Sequence, residues 1–258
     1  MTKSDTQPLV TLGDIPAALG LLTRLPVRVD SEQAAKRGAA AAWAYPLIGA
    51  FIGVIAALIA AGALALGLAE TVVAVFIIAT QIILTGAMHE DGLADCADGF
   101  WGGWDPARRL AIMKDSQIGT YGVLALGLLL MLRWVTLTAL LSHGSVFAIL
   151  VIGAMVSRAA MVGVMAVMTN ARNGGLSRAV GRPSYATASI AALMSGVAVI
   201  LAFGTGAILL IIVACALAIG TGLVARAKIG GQTGDVLGAT QQITEIGILL
   251  AALYVLAA

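Results

Sequence analysis

Tyr185-ATASIAALMSGVAVILAFGTGAILLIIVACALAIGTGLV-Ala225 is a run of 41 residues without a single charge. A helix crosses the hydrocarbon core of a bilayer with about 20 apolar residues. The run is therefore too long for one crossing and suits two, broken at the Gly204-Thr205-Gly206 turn. Working outward, Ala39 to Ala69 holds a crossing near Trp43–Leu66, and Thr71 to Met88 holds the next. Ile118 to Leu141 carries Arg133 inside a third, and Val146 to Met168 carries Arg158 inside a fourth. Ile243 to Ala258, which includes Glu245, is a shorter last candidate. The pattern predicts an all-α, polytopic integral membrane helical bundle of about seven transmembrane helices, with six to eight compatible with the same pattern.

Composition agrees. Hydrophobic residues make up 60% of the 258-residue chain and charged ones 11%, against about 25% charged in a soluble domain. This excludes a soluble or disordered chain. Two cysteines, Cys96 and Cys215, are too few for a disulfide framework or a zinc site. Residues 1–258 read as one membrane-embedded domain, with 1–38 as a cytoplasmic or interfacial N-terminal segment. Within that segment, Asp14-Ile15-Pro16 followed by leucines looks like the start of a short interfacial helix. The N-terminus lacks a basic stretch running into an apolar one, so no cleaved signal peptide is expected.

The charges that exist are placed unevenly. Segments 1–38, 89–117, 170–184 and 226–242 fall on one side of the membrane and hold 13 of the 15 Lys and Arg. The positive-inside rule makes that side cytoplasmic. The two exceptions sit inside crossings: Arg158 near mid-depth, where a carboxylate or phosphate partner is expected, and Arg133 nearer the outer half, able to snorkel. No repeat or nucleic-acid-binding stripe appears.

Six of the 13 acidic residues lie within 89–117: Glu90, Asp91, Asp95, Asp98, Asp105 and Asp115. If the second helix continues through His89-Glu-Asp-Gly-Leu-Ala-Asp-Cys-Ala-Asp-Gly99, then Asp91, Asp95 and Asp98 share one face at i, i+4 and i+7. Like charges this close repel, so a cation is expected among them. Oxygen ligands favour Mg²⁺ or Mn²⁺, and Mg²⁺ is commonly held by one or two carboxylates together with substrate phosphates. Beside the acids, Gly92, Cys96, Gly99 and Gly103 form a small-residue stripe that suits close helix packing. Asp235, Gly238 and Gln242 form a second small polar face on the same side, with Thr233 placed to cap that helix. Arg108, Lys114, Arg172 and Arg178 are candidate phosphate contacts, and positive-inside anchoring explains them equally well.

These segments resemble the adenosylcobinamide-GDP ribazoletransferase (cobalamin synthase) family. The family pattern HxDGLADxxDG matches residues 89–99. A basic-Asp-Ser-x-Ile-Gly-x-Tyr-Gly segment matches Lys114 to Gly122. Leu22 to Val27, Arg172 with Gly174-Gly175-Leu176, and Thr233 to Ala239 follow in family order. Glu90 and Cys96 depart from the common residues.

The resemblance implies a transferase of late cobalamin biosynthesis. It would move the adenosylcobinamide phosphoryl group from its GDP derivative to the 5′-position of α-ribazole, or to α-ribazole 5′-phosphate, releasing GMP. It implies Mg²⁺ and a multi-pass place in the bacterial inner membrane. Partners would be the two small-molecule substrates and the bilayer, with no nucleic acid, and a homo-oligomer is left open. Combined with the residue chemistry, it assigns Asp91, Asp95, Asp98, Asp235 and Glu90 to metal and Asp98 to accepting the hydroxyl proton. It assigns Arg108, Lys114, Asp115, Arg158, Arg172, Arg178 and Gln242 to substrate. Three alternatives weigh against it. A CDP-alcohol phosphotransferase would need an Ala-Arg after Asp91-Gly92. A prenyltransferase would need a second full aspartate cluster. A transporter would carry its carboxylates within the crossings.

Overall fold

A computed structural model describes residues 8–144 and 146–257. The start of the N-terminal segment, residues 1–7, lies outside them. Among the described residues the chain is helical throughout, with one isolated parallel bridge between Asn170 and Gln232. In order the helices are α1 (Asp14–Leu22), α2 (Ser31–Arg37), α3 (Tyr45–Ala65), α4 (Glu70–Thr85), α5 (Met88–Gly102), α6 (Pro106–Ile112) and α7 (Thr120–Ser142). They continue with α8 (Val146–Val167), α9 (Leu176–Val180), α10 (Tyr185–Phe203), α11 (Ala207–Ile229) and α12 (Gly234–Ala257), and a 3₁₀ stretch at Gly38–Ala44 leads into α3.

Five helical stretches are long and apolar enough to cross a membrane, or six if the bent pair α4–α5 is one crossing. One of the five, Tyr185–Ile229, is interrupted at Gly204–Gly206 into α10 and α11. Counted as two, α10 and α11 bring the total to six, or seven with the bent pair, against about seven expected. Large apolar side chains of α7, α10 and α11, among them Leu128, Val135, Leu193, Leu201, Ile212 and Ile219, point outward as a lipid-facing surface should.

The centre of the bundle is α3, α8 and α12. On α3, a Cβ at Gly49 or Gly53 would run into the α8 backbone at Ala154 or Leu150. These two glycines, four apart, let the helices meet at backbone distance. The last crossing begins at Gly234, well before Ile243, and is buried along most of its length. The N-terminal helix docks beneath the bundle. Asp14, fully buried, accepts hydrogen bonds from Arg37 (2.7 Å) and the Trp43 indole (2.7 Å). Burial alone would raise its pKa, but these two partners prevail and hold it down at about 2.

Contacts join the four charged segments at one end of the molecule. Arg24 N–H donates to Leu84, Gly38 abuts the Val180 carbonyl, and Arg109 donates to the Lys228 carbonyl. At the opposite end Ser142 donates to Glu70.

Candidate active site

The second crossing does not run on into the acidic segment. It stops at Thr85, and α5 leaves at 89° to it. The corner is two consecutive left-handed residues, Gly86 (φ 65°) and Ala87 (φ 58°). A non-glycine residue held there costs about 1–3 kcal/mol, so the bend is imposed by the packing around it. Arg24 fills the space where a Gly86 side chain would sit. The i, i+4, i+7 spacing survives because residues 91 to 98 all lie within α5.

Two glycines set the site. A Cβ on Gly92 would lie 2.8 Å from the Asp235 carbonyl oxygen, and one on Gly238 would lie 3.1 Å from the His89 Cα. Thus α5 and α12 cross nearly backbone to backbone, bringing Asp91 and Asp95 beside Asp235. The rest of the small-residue stripe is packing as well. Cys96 is buried with Val236 and Ala239, Gly99 meets Met113, and Gly103 meets Arg109.

Asp91 is exposed and Asp95 half-buried, and among the described residues neither accepts a hydrogen bond. Asp95 feels the charges of Asp91, Asp235 and Asp98 against that of Arg172. Asp235 Oδ2 takes Arg172 Nη2 at 3.3 Å and the Thr233 hydroxyl at 3.1 Å. Thr233 also caps α12, accepting from Val236 N–H as its position suggested. The loop that carries Arg172 is pinned to the start of α12. Ala171 N–H donates to the Gln232 carbonyl, Gln232 N–H to Thr169, and Ser177 to the Gln232 side chain. Arg172 Nη1 is buried without a partner, a spare donor beside the carboxylates.

Asp98 stands apart from its two companions. Its oxygens accept Gly119 N–H (2.7 Å) and Gly122 N–H (2.9 Å), so it caps the start of α7. Each of its oxygens is thus engaged by one backbone donor.

Glu90 faces away from the acid face into a buried polar cluster. Its Oε1 accepts Gln242 Nε2 (2.9 Å) and lies 3.4 Å from Arg133 Nη1. Arg133 does not snorkel: it is 1% exposed and also reaches Gln81, Gln242 and, at 3.3 Å, Glu245. Arg158 is buried and lies 3.7 Å from Glu245, the internal carboxylate partner expected of it. Gln241 and Ser157 complete the cluster on Glu245. Two arginines and two glutamates balance. Glu90, Arg158 and Gln242 are thus part of this cluster, in which, among the described residues, Glu90 Oε2 and Arg158 Nε are buried without a partner.

Arg108, Lys114, Asp115 and Arg178 are exposed at the same end of the molecule, and among the described residues none bonds to the acid face. Asp115 caps Gln117 N–H. Arg109, next to Arg108 in the sequence, ties α6 to α11 through the Gly103 and Lys228 carbonyls.

Among the described residues no three His, Cys, Asp or Glu side chains sit close enough to hold a metal by themselves. Asp91 and Asp95 on α5 present carboxylate oxygens without hydrogen-bond partners among the described residues, while Asp235 on α12 is already engaged by Arg172 and Thr233.

Comparison with known proteins places the sequence among members of one family. A curated adenosylcobinamide-GDP ribazoletransferase of Mesorhizobium japonicum is 39% identical, over 95% of this chain and 94% of its own. Those of Azorhizobium caulinodans (42%; 94% and 96%) and Chlorobium phaeovibrioides (39%; 81% and 85%) are similar. No solved structure matches. The family model for cobalamin-5-phosphate synthase covers residues 14–253, and the chain belongs to that family.

Proposed function

We propose that this chain is an adenosylcobinamide-GDP ribazoletransferase, joining adenosylcobinamide-GDP to α-ribazole or α-ribazole 5′-phosphate. A phosphorus–oxygen bond forms to a ribose hydroxyl, the bond to GMP breaks, and the hydroxyl proton leaves. The family match over residues 14–253 supports the reaction. The Gly92–Gly238 crossing, which sets Asp91 and Asp95 against Asp235 and Arg172, supports the site. The family name also argues for one change to the sequence reading. A product that keeps a 5-phosphate cannot be joined through that oxygen, so the accepting hydroxyl is another one on the ribose.

Asp91 and Asp235 are the residues suited to hold Mg²⁺, or Mn²⁺, against the diphosphate. When bound, the ion would neutralise charge on the transferred phosphorus and on the leaving GMP. Asp95 takes over the proton-accepting role first given to Asp98. It is free of hydrogen bonds and surrounded by carboxylates, so an added proton relieves repulsion. Arg172 offers its unpartnered Nη1 to a phosphate oxygen while Asp235 fixes its other nitrogen. The end of the bundle that bears this site faces the cytoplasm of a bacterial inner membrane, in keeping with its share of the basic residues.

The test is to incubate the purified protein with adenosylcobinamide-GDP, α-ribazole and Mg²⁺ and to measure GMP and the corrinoid product. Wild type should release both in equal amounts. D91N and D95N should lose about 10²–10⁴-fold in turnover, with unchanged thermal unfolding. Near-wild-type rates in D95N would reject its role, and no GMP from folded wild type would reject the function.

A further inference from the structure

Between α10 and α11, with α8 as its floor, lies an open apolar groove of about 550 Å³. The two helices meet at the Gly204–Gly206 turn, and the groove runs toward the end of the molecule that carries the acid face. Gly163 on α8 and Gly196 on α10 line it, and a Cβ added to either meets nothing within 4 Å. Arg226 closes the groove at the charged end, and among the described residues its exposed side chain has no partner.

The size of the groove selects its occupant. From Ile211 to Arg226, the α11 residues that bound it, is roughly 22 Å at 1.5 Å per residue. Spread over that length, the volume gives a cross-section of about 25 Å². The groove has the length of an extended hydrocarbon chain and is open along its side. Its only charge is a cation, at the end where a headgroup would lie.

We propose that this groove is a phospholipid site: one acyl chain lies between α10 and α11 over Gly163 and Gly196, and Arg226 binds the lipid phosphate. The site is separate from the carboxylates of α5 and α12.

Native mass spectrometry of the protein extracted in mild detergent tests this directly, with proteoliposomes carrying a diazirine-acyl phosphatidylglycerol as a second readout. Wild type should retain close to one phospholipid per chain and crosslink on α8, α10 or α11. G163L/G196L should reduce retention at least tenfold without loss of folding, because both added side chains enter open space. R226Q should weaken retention about fivefold, the equivalent of about 1 kcal/mol for one juxtamembrane charge. Undiminished retention in G163L/G196L would overturn the proposal, as would wild type free of phospholipid. A wild-type dimer that the double variant converts to monomer would show a second copy in the groove and overturn it as well.

Discussion

Replacing Arg133 by methionine separates the two readings of Glu90. Arg133 sits 1% exposed between Glu90 (3.4 Å) and Glu245 (3.3 Å), its Nη1 and Nη2 also donating to Gln242 and Gln81 while its Nε is buried without a partner among the described residues. The methionine keeps the hydrophobic bulk but leaves two buried carboxylates with only Arg158, 3.7 Å from Glu245, to balance them. Removing one partner of a buried ion pair costs about 3–5 kcal/mol, because the other charge is left uncompensated. At about 2–4 °C per kcal/mol for a chain of this size, thermal unfolding in detergent should fall by roughly 6–20 °C. The double variant R133M/E90Q restores one cation to one anion and should recover at least half of the loss. E90Q alone should lower Tm while folded protein still turns over. If Glu90 were a metal ligand, E90Q would instead abolish turnover with Tm unchanged. An R133M protein within 1–2 °C of wild type, or a double variant no more stable than R133M, would refute the reasoning.

Three further outcomes follow from the geometry. D98N keeps one acceptor oxygen for the two backbone N–H groups and D98A keeps none, so D98A should lose about 1–2 kcal/mol of stability and D98N about half of that, with the turnover of folded protein within about threefold of wild type; chemical unfolding and GMP release measured together decide this. G92A places a methyl 2.8 Å from the Asp235 carbonyl oxygen. It should cost about 1–3 kcal/mol and, by parting α5 from α12, about 10–100-fold in kcat, and unchanged kcat would separate the crossing from the chemistry. Asp14, held at about 2 against an ordinary 3.8, stabilises the fold above pH 4 by about 2 kcal/mol. That contribution is lost as pH falls through the folded value, so the Tm of wild type should drop more steeply than that of D14N between pH 4 and 2.

The crossings were legible because hydropathy is a property of composition over about 20 residues, and neither packing nor partners can hide it. Charge counting over the loops worked for the same reason: the four basic segments do converge on one end of the bundle. The break at Gly86-Ala87 was not legible. A left-handed alanine has no local signature, because the surrounding structure holds it there rather than its own preference. Glu90 lies off the Asp91–Asp95–Asp98 face with or without the bend before it, and its partners Arg133 and Gln242 come from helices distant in sequence.

The acid face shows where sequence spacing stops being informative. Periodicity placed Asp91, Asp95 and Asp98 on one stripe, and they do lie on one helix. What divides them is the neighbour each one meets. Asp98 reaches the free N–H groups at the start of α7, while Asp91 and Asp95 meet the crossing with α12 and find no donor. A carboxylate satisfied by two backbone donors gains little from a metal or a proton, whereas one left among like charges gains from either. The pairing of Arg133 and Arg158 with Glu90 and Glu245 carried a weak signal of its own. Two cations inside apolar runs require two anions at matching depth. Glu245 stood in the last crossing, and with Gln241 and Gln242 just before it the polar face of α12 was already written in the sequence. Read that way, Glu245 is the reason the last helix can be buried, since it supplies the charge that the two arginines need.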